Sequence, residues 1–213
     1  MYRLLIIVLV IINLPLASCA PAGLAAGAGA SLGVASAREG GLKTSASDAV
    51  IETRINDAWF RYDVETFRNL NLTVNQGRVL VTGVVEDPQD RVEAIRLAWK
   101  PEGVEQVINE IRVAESSGIS GYLSDSWITT KLRTKMLMDS EIQSVNYSVD
   151  TVNRTVYIMG VAYNKKELNS VIELARTVSR VDEVVSYVKM AGEQDDPLGA
   201  SADKPYRDEG TQK

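Results

Sequence analysis

Histidine is absent from all 213 residues. Its absence removes the usual general base near neutral pH, any Ser-His-Asp arrangement and any histidine-bearing metal site. Cysteine occurs once, at Cys19, so no disulfide can close within one chain. Positive charge is in the minority: 23 Lys and Arg stand against 28 Asp and Glu, for a net charge of -5. Nucleic-acid binding calls for a broad basic surface and is not expected of this chain. After the N-terminal stretch, no apolar run is long enough to span a bilayer. The Gly-rich segment GLAAGAGASLG follows no strand pattern and lacks the lysine of a phosphate loop. Carboxylate pairs such as Glu86-Asp87 and Asp182-Glu183 fall at turns or beside short helices, where solvation accounts for them. The expectation is therefore a binding protein, with no enzymatic activity, no cofactor and no metal.

What is present begins with MYRLLIIVLVIINLPLASC. A basic start at Arg3, a continuous apolar run from Leu4 to Ile12 and a small-residue processing site have the layout of a bacterial secretory signal over residues 1–18. Leu16-Ala17-Ser18-Cys19 resembles the lipobox of bacterial lipoproteins. That resemblance implies that Cys19 is diacylated, becomes the first residue of the mature chain and is then N-acylated. The alternatives are a plain exported protein with an incidental thiol, or an uncleaved anchor helix. Ala20 follows the cysteine, where an aspartate would imply retention in the inner membrane. The lipoprotein resemblance thus implies the outer membrane, with the body of the chain facing the periplasm. Residues 19–47 are dominated by Ala, Gly and Ser and read as a flexible tether with a mean reach of roughly 30 Å. Residues 191–213 are polar, with no apolar period, and read as a disordered tail. Its Asp195, Asp196, Asp208 and Glu209 are placed either to screen a basic patch or to recruit a partner.

Between tether and tail the chain repeats itself at a separation of 77. DAVIETRINDAW from Asp48 aligns with DSWITTKLRTKM from Asp125, VLVTGVV from Val79 with VYIMGVA from Val156, and Gly83 with Gly160. Each copy, 48–115 and 123–190, reads as helix, alternating strand, turn, second alternating strand, helix and closing strand. The fold class is α+β: two tandem α-β-β-α-β modules, each a small three-stranded sheet with helices on one face. A unit of roughly 65 residues has a thin core, so the two copies are expected to lean on each other. Gly83 and Gly160 sit inside strand patterns, where glycine marks a bulge or a close backbone approach.

In the second opening helix, Ile128, Leu132 and Met136 fall within about 80° of one another and form a core stripe. Trp127 lies about 100° to one side. It is joined there by Leu137 and Met138, with Thr130 and Thr134 between them and Lys131 and Arg133 flanking. This second apolar patch either covers a neighbouring domain or meets something outside the chain. In the first module Val50 takes the place of Trp127, and Glu52 and Asp57 would be repelled by an anionic surface. Trp59 matches Met136 and is expected in the core. Phe60 and Trp99 carry no functional reading.

The repeat, its strand glycine and the closing GVEQVINEIRV resemble BON domains, small modules of bacterial envelope proteins. Lipobox, tether and two such modules together resemble the outer-membrane lipoproteins of that family. The resemblance implies that the second module binds an anionic phospholipid surface while the first does not. It also implies that the protein supports outer-membrane integrity and gathers at division sites. The family's lipid contact lies on the opening helix of the second module, and its aromatic anchor and distal apolar residue fall on Trp127 and Leu137. Lys131, Arg133 and Lys135 would add attraction to anionic headgroups, at about 1 kcal/mol each near the surface. The alternative is an adaptor that turns the same Trp127 surface to an envelope or division protein.

Overall fold

The computed structural model describes residues 41–115, 118–192 and 206–209. The signal sequence, Cys19, most of the tether, Asp195 and Asp196 lie outside the described residues. The first module comprises α1 (Gly41–Phe67, kinked at Asp63), β1 (Leu70–Asn75), β2 (Arg78–Val85), α2 (Pro88–Ala98) and β3 (Gln106–Val113). The second comprises α3 (Gly118–Met138), a short 3-10 turn at Ser144–Asn146, β4 (Tyr147–Val152), β5 (Thr155–Ala162), α4 (Lys165–Arg176) and β6 (Glu183–Met190). A last strand, β7 (Tyr206–Glu209), follows.

Local chemistry sets these boundaries in the same way twice. Asp87 accepts from the Gln89 amide at the start of α2, where Pro88 supplies a preset φ. Asn164 likewise accepts from the Glu167 amide at 2.9 Å at the start of α4. The hairpins turn through left-handed pairs, Gln76-Gly77 in the first module and Asn153-Arg154 in the second. In each case the first carboxylate of the repeat holds the turn. Asp48 accepts from the amides of Gln76 and Gly77, both at 2.9 Å. Asp125 accepts from those of Asn153 and Arg154 at 2.8 and 2.9 Å.

In both modules the middle strand pairs antiparallel with the first and parallel with the third, across the second helix. One face of each sheet carries the helices. Ile51, Ile55 and Trp59 of α1 pack on Val79, Val81 and Val85, and Ile128, Leu132 and Met136 of α3 pack on Val156 and Ile158. A Cβ at Gly83 would lie 2.3 Å from the Asn69 carbonyl oxygen, and one at Gly160 would lie 2.1 Å from that of Asn146. At both positions the neighbouring backbone approaches too closely for any side chain.

The opposite faces of the two sheets meet. Leu80, Val84 and Ile108 form one apolar cluster with Tyr157, Met159 and Val185. The strands β2 and β5 are therefore buried on both faces along their whole length. They read as near-continuous apolar runs for that reason, and the alternation expected of them is absent. Polar bonds edge this joint. Arg78 Nη1 donates to the Tyr187 carbonyl at 3.0 Å, and Arg112 Nη2 donates to Thr155 Oγ1 at 2.7 Å. Thr82 Oγ1 and Asn71 Nδ2 of the first module donate to the carboxylate of Asp150. Burial pushes the Asp150 carboxyl up from its ordinary value, against the opposing pull of those bonds and of Arg133.

Three boundaries differ from those expected. α1 starts at Gly41, inside the expected tether, because a helix already nucleated by its core stripe extends at little cost. α3 starts at Gly118 for the same reason. In the expected disordered tail, Tyr206–Glu209 pairs antiparallel with β6, so the second sheet has four strands. The edge of β6 offers unpaired backbone groups, and Arg207 adds ion pairs to Glu110 and to Glu183, the latter at 3.3 Å.

Candidate functional site: the outer face of the second opening helix

Because α3 lays Ile128, Leu132 and Met136 on the sheet, helical period forces its other residues outward. Trp127 is 45% exposed, Leu137 71% and Met138 82%. Thr130, Lys131, Arg133 and Thr134 are exposed on the same helix, and Lys135 is half-buried. Leu123, one turn before Trp127, is also exposed and lengthens the apolar stripe. Its signal in the sequence was the four-residue spacing to Trp127. From Leu123 to Met138 the stripe runs about 22 Å, at 1.5 Å per residue. The residues that join the modules lie on the sheets, and Trp127 is not among them.

The basic setting differs in detail from expectation. Arg133 Nη2 donates to the Val149 carbonyl at 2.6 Å, so this guanidinium is partly tied to β4. Lys135 Nζ donates to Thr177 Oγ1 at 2.8 Å, and Thr134 Oγ1 donates back to the Thr130 carbonyl at 2.8 Å. Lys131 is exposed one turn beyond Trp127. The fold adds a cation that linear spacing does not reveal. The Arg180 guanidinium, from the turn after α4, sits over the Trp127 ring at 5.5 Å from its centroid. Arg180 lies 53 positions from Trp127 in the chain, so only the packing of α4 beside α3 joins them. Past the helix end, an open groove is lined by Lys135, Met138, Asp139, Ser140 and Leu174.

The first module provides an internal comparison. Its Val50 is exposed at the position of Trp127, with Glu52 and Asp57 also exposed. Trp59 is 4% exposed and its indole N–H donates to the Ala94 carbonyl at 3.1 Å, which makes it a core residue. Among the described residues no group of His, Cys, Asp and Glu is placed to hold a metal, and no helix is long and apolar enough to cross a membrane.

Two tandem α-β-β-α-β modules, each a small sheet with its helices on one face, define the class of fold. The BON domain model matches residues 47–115 and again 124–192, so the chain belongs to the BON domain family and carries two such domains. Over 144 residues it is 40% identical to a protein of Anaplasma centrale called "Uncharacterized protein in gshII 5'region", covering 67% of this chain and 94% of that one. It is 30% identical over 150 residues to the 21 kDa hemolysin of Actinobacillus pleuropneumoniae, covering 68% and 75%. Outer membrane lipoprotein DolP of Haemophilus influenzae is 26% identical over 147 residues, covering 68% and 76%.

Proposed function

We propose that the chain is a non-enzymatic outer-membrane lipoprotein, anchored through Cys19 and facing the periplasm. Its second BON domain lies on anionic phospholipid through the outer face of α3, and the protein supports the integrity of that membrane, including at division sites. The observation that carries the reading is the long exposed stripe of Leu123, Trp127, Leu137 and Met138, bordered by Lys131 and Arg180. An indole at a bilayer interface buries its ring while its N–H stays wet, and nearby cations are drawn to anionic headgroups. The name of the H. influenzae relative supports the membrane, and the match of Leu16-Ala17-Ser18-Cys19 to a lipobox supports the anchor. Val50, Glu52 and Asp57 make the corresponding face of the first module a poor match for such a surface.

The test is titration of the mature chain, without acyl groups, against vesicles of phosphatidylcholine with and without phosphatidylglycerol. Trp127→Ala removes interfacial burial of about 2 kcal/mol and is expected to lower affinity about 30-fold, with the melting temperature nearly unchanged. Equal binding by wild type to both vesicle compositions would refute anionic lipid as the ligand. Absence of binding to either would leave α3 as a surface for a protein partner.

A further inference from the structure

We propose that Arg180 and Trp127, with Lys131 beside them, form a site for the phosphodiester of an anionic lipid headgroup. The proposal rests on the reading of α3 as the membrane-facing helix.

Its first support is the backbone at Arg180. The φ of this residue is 75°, in the left-handed region that a side chain disfavours. The position equivalent to it in the first module is Gly103, with a φ of 94°. Glycine adopts that conformation at no steric cost, and the repeat itself shows that the turn is built with one. An arginine therefore occupies a left-handed turn position that the first module fills with glycine. Strain of this kind is found where a side chain is placed for use.

The second support is charge. Neighbouring arginines are matched inside the fold: Arg154 pairs with Asp182 at 2.7 Å, and Arg207 with Glu110 and Glu183. The Arg180 side chain has no carboxylate within ion-pair distance among the described residues and lies over the Trp127 ring instead. The backbone around it is fixed. Arg154 Nε donates to the Arg180 carbonyl at 2.7 Å, and the Asp182 amide donates to the Arg154 carbonyl at 3.0 Å. A guanidinium seated on an indole offers a planar fork of N–H donors, which suits two oxygens of one phosphate.

The third support is that both members of the pair change together. Where the second module has Trp127 and Arg180, the first has Val50 and Gly103. The source of the anion follows from its surroundings: Leu123, Leu137 and Met138 are exposed along the same helix, so the phosphate arrives attached to an apolar layer.

Arg180→Gly installs the residue that the first module uses. On vesicles containing phosphatidylglycerol the expected loss is about fivefold, the effect of one cation near an anionic surface. Binding to phosphatidylcholine alone stays as in wild type, and the melting temperature stays level or rises because the strain is gone. Arg180→Lys recovers only part of the affinity, since an ammonium neither stacks nor forks. Wild-type affinity in Arg180→Gly overturns the proposal, and so does an equal loss on both vesicles. A lower melting temperature with weaker binding assigns Arg180 to folding and overturns it too. Soluble glycerophosphoglycerol in large excess leaves the protein on the vesicles; displacement would make this a site for a free phosphodiester and refute the lipid source. Loss of binding in Trp127→Ala with none in Arg180→Gly refutes this inference alone, whereas a wild type without preference for phosphatidylglycerol removes the underlying reading as well.

Discussion

Leu80→Ala measures whether the two modules share one core. Leu80 is 2% exposed and stands on the face of β2 turned away from α1 and α2, in the cluster that includes Tyr157 and Val185 of the second module. Truncation removes three carbons, worth about 2.4 kcal/mol at about 0.8 kcal/mol each. The cavity left between two sheets that cannot fully close adds to this, so a loss of about 3 kcal/mol is expected, inside the usual range for Leu→Ala in a core. Were the modules only tethered, that face of β2 would meet water, and the same change would cost below about 0.5 kcal/mol. Urea denaturation of the whole mature chain, followed by far-UV circular dichroism and by tryptophan fluorescence, reads the difference. Both probes should report one coincident transition, shifted in the mutant. A loss under about 0.5 kcal/mol, or separate transitions for the two probes in wild type, would refute a shared core.

Asp150→Asn tests the half-buried carboxylate of the same joint. Burial raises its pKa in the folded state, so that state binds the proton more tightly than the unfolded chain does. The stability tied to the protonated form is full below the unfolded pKa of about 3.9 and is lost as pH rises through the raised folded value. Urea midpoints of mutant minus wild type should therefore grow in the mutant's favour as pH rises from about 4 through the raised folded value; a flat or falling difference would contradict the assignment. Cys19→Ala is expected to abolish incorporation of a fatty-acid probe and to release the protein from the outer-membrane fraction, and label retained on the mutant would remove the anchor.

Most of this fold is written in local pattern. Ile51 and Ile55 share a helix face with Trp59 by spacing alone, as Ile128, Leu132 and Met136 do, and the separation of 77 carries each reading from one module to the other. Trp127 stands apart from its stripe in any helix drawn through it, so the candidate surface was legible as far as Leu137 and Met138. Leu123, the first residue assigned to the second module, was not counted with Trp127 in the exposed patch. Arg133, counted as a free cation from its place in the helix, is bonded to a strand 16 positions away. The carboxylates Asp48 and Asp125 were read only as the first residues of each repeat, yet each closes a hairpin turn from 28 or 29 positions away.

The sequence by itself determined the two α-β-β-α-β units, the helix faces that enter each core, and the one helix whose outer face carries a tryptophan. These follow from periodicity and from a repeat, which act over a few residues and need no knowledge of the partner surface. Only the tertiary structure decided that the sheets meet through Leu80 and Tyr157, that β7 completes the second sheet, and that Arg180 reaches the ring of Trp127. Each of these joins residues far apart in the chain. Such contacts depend on how finished modules dock and on how a turn is held, and a one-dimensional hydrophobic period contains neither.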